Sequence, residues 1–124
     1  MDLTEKTWLL NAQTRLFELE AHGDGIRAQL KAIENERFEI SEQIIFNRNE
    51  ISRFEYSNTR SKNPADHARN EQGIANCHAR IASLNSRMAS ANSRYEKLKA
   101  ETRPFTRLVE GCRKALNACT PAVI

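Results

Sequence analysis

The sequence predicts an all-α protein: a long antiparallel coiled-coil helical hairpin, kinked near Gly23, Gly25 and Pro104, that assembles into a helical bundle. Two observations carry this. Each half of the chain holds a series of residues spaced alternately three and four apart, and a short polar stretch that ends in a helix-start signal separates the two series. A sustained 3.5-residue apolar period marks a coiled-coil seam rather than a strand or an ordinary surface helix.

The first arm, about residues 3–57, carries Leu9, Ala12, Leu16, Leu19, Gly23, Ile26, Leu30, Ile33, Arg37, Ile40, Ile44, Asn47, Ile51 and Phe54. Gly23, Arg37 and Asn47 break its apolar character. Polar groups at seam positions set register and oligomeric state at some cost in stability, the role expected of Arg37 and Asn47. Gly23 and Gly25 each cost about 1 kcal/mol relative to alanine inside a helix, so a kink or short break is expected there although the apolar phase continues across it.

The bend is expected at residues 58–63, within the polar run 57–64 (SNTRSKNP). Asn63 suits the N-cap, Pro64 the first helical position and Asp66 the first turn, which starts the second arm at residue 64. A short connection joins antiparallel neighbours.

The second arm, about residues 64–119, carries Ile74, Cys77, Ile81, Leu84, Met88, Ala91, Tyr95, Leu98, Thr102, Phe105, Val109, Cys112, Leu116 and Cys119. Residues 79–85 (ARIASLN) and 86–92 (SRMASAN) are one heptad copied, which stacks Arg80, Arg87 and Arg94 in one column and Ala75, Ala82 and Ala89 in another. Pro104 removes a helical hydrogen bond, so this arm is expected to kink near residue 103. The chain reads as one domain, residues 1–124, with a distal rod and a proximal part divided near the glycine and proline levels.

Laid antiparallel, the seams are expected to place Ile44 against Cys77, Ile40 against Ile81, Ile33 against Met88 and Leu16 against Phe105. That register also brings Glu36 near Arg87, Glu20 near Lys99, Arg48 near Glu71 and Gln29 near Arg94. Net charge is +3, yet residues 1–58 hold seven Lys/Arg and eleven Asp/Glu while residues 59–124 hold twelve and five. The opposite signs of the two arms fit mutual attraction along the hairpin.

Composition narrows function. No apolar run approaches the roughly 20 residues of a membrane span, and the N-terminus lacks the basic-then-apolar order of a secretory signal. The expected compartment is the cytoplasm, and no membrane association is expected. The three cysteines all fall on the seam and read as small hydrophobes in a reducing compartment. Cys112 and Cys119 lie about 10.5 Å apart along a helix, too far for a disulfide. Cys77 and His78 are adjacent and point about 100° apart, no zinc-ligand spacing follows, and residues 22–25 (HGDG) lack the spacing of a phosphate loop. Neither an enzyme nor a cofactor-binding or metal protein is expected.

The informative residues are those the seam leaves over. Leu3, Leu10, Phe17, Phe38 and Ile45 share one heptad column about 130° from the seam centre, and Trp8 and Phe46 also lie off the seam. Clustered exposed apolar groups mark interaction surfaces. These seven residues are the expected partner-binding set, taking another protein chain and, most simply, a second copy in a dimer, with packing by the C-terminal segment Phe105–Ile124 as the alternative cover. The expected function is an adaptor, chaperone or inhibitor that binds a larger protein. The alternatives are a nucleic-acid-binding bundle acting through Arg60, Lys62, Arg69, Arg80, Arg87 and Arg94, or a structural component like a secretion-stalk coiled coil. Against nucleic acid, the first arm is acidic and no aromatic residues interleave with the basic column.

Overall fold

The computed structural model describes residues 2–119, with the backbone alone at Cys119. The seam position of the Cys119 side chain and the last residues of the segment 105–124 lie outside the described residues. Two helices, α1 (Leu3–Arg60) and α2 (Pro64–Cys119), pack against each other as a hairpin, with no strand among the described residues.

The 3–4 series decides which residues face inward. Every described seam position on both helices is buried or half-buried, including the polar Arg37, Asn47 and Thr102. The contacts divide into two compact units, one of Met1–Ala32 with Tyr95–Ile124, the other of Ile33–Arg94. In the second, Ile40, Ile44 and Leu84 form a buried cluster with Ile81 and Met88 packed against it.

The bend is tighter than expected. α1 continues to Arg60, where the Ser61 amide donates to the Ser57 carbonyl at 3.0 Å, so residues 61–63 alone make the connection. Thr59 and Arg60 stay helical because their side chains bond back to the preceding turn, Thr59 to the Tyr56 carbonyl and Arg60 to the Tyr56 hydroxyl. Asn63 caps α2 as its sequence position implies: its Oδ1 accepts from the Ala65 amide at 3.0 Å and its carbonyl from the His67 amide at 3.1 Å. Asp66 then ties the turn together, accepting from the Ser61 hydroxyl at 2.8 Å and from Arg69 at 2.6 Å. Buried Asn70 closes this end of the seam, donating to Ser57 and Asn58.

Neither interruption breaks a helix. α1 runs unbroken through Gly23 and Gly25, and α2 through Pro104. Gly23 is a socket: a Cβ there would come within 2.6 Å of the Phe105 ring, whose centroid also lies 5.3 Å from that of His22. Gly73 does the same in the other unit, where a Cβ would meet the Phe54 ring at 2.5 Å. Beside Pro104, the Thr106 hydroxyl donates to the Thr102 carbonyl at 2.8 Å.

The register differs from the expected one by a heptad. Phe105 stands against Gly23 rather than Leu16, and Arg94, not Arg87, binds Glu36, through bonds of 2.8 and 2.9 Å to its two oxygens. Glu20 pairs with Arg113 at 2.6 Å instead of Lys99, and Arg48 forms no ion pair with Glu71. A shift by seven keeps every apolar residue on the seam, so hydrophobic pattern alone does not distinguish the two alignments. Fitting Phe105 over Gly23 and Phe54 over Gly73 does, because only small residues leave room for the rings.

Candidate functional site

Hairpin formation covers the seam and leaves the off-seam apolar residues in water. In the unit built from the two ends of the chain, Leu3, Trp8, Leu10 and Phe17 are all exposed, Leu3 at 80% and Phe17 at 73%. In the unit Ile33–Arg94, Phe38, Ile45 and Phe46 are exposed at 66%, 50% and 60%. Each cluster belongs to its own unit. Phe38 and Ile45 are one heptad apart and share a face, while Phe46 sits about 100° further round α1, on the side of Glu36, Gln43 and Glu50.

Two exposed residues escape the sequence reading. Tyr56 is 59% exposed, but Arg60 occupies it from both sides of its chemistry: the guanidinium donates to the phenol oxygen at 2.9 and 2.6 Å and lies 5.1 Å from the ring centroid. The spacing of four on one helix was the available signal. Leu108, 56% exposed, flanks the seam position Val109 and was hidden by that proximity.

The basic set divides. Arg94 is held by Glu36, Arg69 by Asp66 and Arg60 by Tyr56. Lys62, Arg80 and Arg87 form no salt bridge among the described residues. The structure thus commits half of the proposed nucleic-acid surface to internal bonds.

The surface recesses among the described residues lie open to solvent: one lined by Glu96, Lys99, Ala100, Thr102 and Arg103 holds 620 Å³, one lined by Leu3, Thr4, Thr7, Trp8 and Asn11 holds 420 Å³, and one lined by Glu20, Gly23, Arg27, Phe105, Thr106, Val109, Glu110 and Arg113 holds 190 Å³. Among the described residues no group of three or more His, Cys, Asp or Glu side chains could hold a metal ion. Cys77 is buried, His78 exposed, and both Cys77 and Cys112 are unpaired thiols.

Two polar seam residues make side-chain bonds of interest, Asn47 buried and Arg37 half-buried. Asn47, 5% exposed, donates from Nδ2 to the Gln43 carbonyl at 2.8 Å while its Oδ1 has no partner. Arg37 reaches across to the Asn92 Oδ1 at 3.2 Å. Asn47 bonds within its own helix, so its cost is internal to the hairpin.

No helix among the described residues is long and apolar enough to cross a membrane. The chain matches no family model, no curated protein and no solved structure.

Proposed function

We propose that the chain is a non-enzymatic protein-protein interaction module, an adaptor, chaperone or inhibitor that engages a larger protein through apolar helix faces. One observation carries the reading: after the hairpin has buried its seam, seven large apolar side chains, Leu3, Trp8, Leu10, Phe17, Phe38, Ile45 and Phe46, remain between 49% and 80% exposed. Leaving such residues in water forfeits up to about 1.5–3 kcal/mol of burial for each, a cost that association recovers. The same reading puts the chain in a reducing compartment such as the cytoplasm, where its three seam cysteines serve as small hydrophobes.

The test is affinity capture with the full chain, with and without nuclease, beside Phe17→Glu and Phe38→Glu variants checked for unchanged helicity. Binding of a specific protein that survives nuclease and fails in either variant is the expected result. Capture that nuclease abolishes, and that Arg80→Glu with Arg87→Glu also removes, overturns it in favour of nucleic-acid binding through the unpaired arginines.

A further inference from the structure

Within Ile33–Arg94 the hairpin has two broad faces of unlike chemistry. One edge is charged: Glu36, Gln43 and Glu50 on α1 line up beside Arg80, Arg87 and Arg94 on α2, joined by the Glu36–Arg94 bridge. Helical geometry puts Phe38, Ser41, Ile45 and Arg48 of α1 on the opposite face, with Ala75, His78, Ala82, Asn85, Ala89 and Asn92 of α2. There the α2 row holds no Lys, Arg, Asp or Glu across these positions, and the charges on the face are Arg48 and the Arg37 guanidinium that bonds Asn92. Interface cores are depleted of charge in this way, and solvated faces are not.

The register sets what lies level with what. Glu36 bonds Arg94, Arg37 bonds Asn92 and a Cβ on Gly73 would strike Phe54, so Phe38 stands level with Ala89 and Ile45 with Ala82. On this face every large apolar side chain of α1 therefore has an alanine at its own height on α2, too far across the hairpin's surface to touch it. A second hairpin turned over by a dyad parallel to the helices lays its α2 on the first one's α1 with the heights preserved. Phe38 and Ile45 of each copy then pack on Ala89 and Ala82 of the other, knobs on a smooth row.

A face two helices wide, about 20 Å, and about 27 Å long covers about 500 Å² per copy, or about 1,000 Å² in all. That meets the lower bound for a specific interface and corresponds to a reversible dimer.

We propose that this charge-poor face is a self-association site, in which Phe38 and Ile45 of one copy dock on Ala89 and Ala82 of a second copy to form a two-fold four-helix bundle. The proposal rests on the interaction reading above and names one partner for one of its two apolar clusters. Phe46, on the charged-edge side of α1, lies outside the site.

The experiment is sedimentation equilibrium of the full chain from about 1 to 500 µM, together with photocrosslinking from p-benzoylphenylalanine placed at Phe38 in a mixture of isotopically labelled and unlabelled copies. A monomer–dimer equilibrium is expected, with crosslinks between labelled and unlabelled chains mapping to residues 82–92. Ala82→Glu and Ala89→Glu, exposed positions where a longer side chain leaves the hairpin seam untouched, should each weaken association at least about tenfold at unchanged helicity, whereas Phe46→Glu should change it by less than about twofold. A monomer throughout the range, crosslinks to the partner's α1, or indifference to Ala82→Glu overturns the site. A monomer that still captures a different protein through Phe17 or Phe38 overturns self-association alone and leaves the interaction reading standing. A dimer of this geometry that binds no other protein does the reverse.

Discussion

In Ile33–Arg94 the seam residues Ile33, Ile40, Ile44, Ile51, Cys77, Leu84 and Ala91 are buried, whereas in Met1–Ala32 with Tyr95–Ile124 the buried described seam residues are Leu19, Gly23, Ile26 and Leu116. Both units follow the same 3–4 spacing. What differs is the volume of the side chains placed on it. Isoleucines recur along α1 in the first unit and meet medium or small residues on α2. In the second, the bulky Tyr95 and Phe105 share a seam with Ala12, Gly23 and Thr102, and such uneven sizes leave their neighbours half-buried. Periodicity decides which positions face inward; complementary volume decides how much water they shed.

The largest expected effect tests that contrast directly. Ile40 is fully buried in a cluster of buried core residues, so Ile40→Ala should cost about 2–5 kcal/mol, lost burial plus a cavity that the two helices cannot collapse around. Half-buried Leu16, removed in the same way, should cost about half as much, in proportion to the area it hides. Urea unfolding followed by circular dichroism measures both. Equal losses would mean that the two units are packed alike and that the difference in burial carries no energy.

Next come the glycines, which sharpen the comparison because each unit contains one in a socket. Adding a methyl at Gly73 places three Phe54 ring atoms within 2.9 Å of it; at Gly23 one Phe105 atom falls that close. Overpacking costs about 1–3 kcal/mol, offset by about 1 kcal/mol of helix propensity. Gly73→Ala should therefore lose up to about 2 kcal/mol and Gly23→Ala less. Gly25 and Gly111 have nothing within 4 Å of an added Cβ, and alanine there should stabilise by about 0.5–1 kcal/mol. The opposite signs are the point of the measurement. Phe54→Leu in the Gly73→Ala background should recover part of the loss, since it removes the ring edge that the methyl strikes. Thermal melts of the four alanine variants would sink the socket account if all of them moved the same way.

These sockets also explain what the sequence made legible. Two helices, the N-cap at Asn63 and the inward position of every described seam residue follow from local spacing and capping chemistry, which a linear sequence displays. Register does not follow from spacing, because a repeat of seven is unchanged by a shift of seven. The deciding signal was present but of another kind: Gly23 and Gly73, each at the level of a phenylalanine on the opposite helix. Read as a helix interruption, Gly23 pointed to a kink; read as a missing side chain, it would have aligned the arms. The last turn of α1 was hidden for a related reason. Ser57, Asn58 and Thr59 resemble a loop by propensity, and their bonds to Asn70 and Tyr56 add to the backbone bond from Ser61 to Ser57 in holding this turn helical. The exposed set was legible because Leu10, Phe17, Phe38 and Ile45 fall off the seam in any register. Tyr56 and Leu108 escaped notice, one paired with Arg60 and the other beside Val109.

The smallest effect isolates register from everything else. Glu36 and Arg94 join the two helices across the charged edge, with side chains 33% and 50% exposed, so solvent screens most of their attraction. A double-mutant cycle of Glu36→Gln and Arg94→Gln should give a coupling of about 0.3–1 kcal/mol that shrinks in about 1 M salt, as a screened surface pair must. The same cycle between Glu36 and Arg87, one heptad away, should give no coupling within error. A larger coupling for Arg87 than for Arg94 would restore the alignment in which Leu16 faces Phe105. It would also remove the height match between Phe38 and Ala89 on which the self-association site depends. A pair too weak to hold the hairpin together is in this way a sensitive reporter of how the hairpin is aligned, because the coupling depends on which arginine stands opposite the carboxylate and hardly at all on how much the fold is worth.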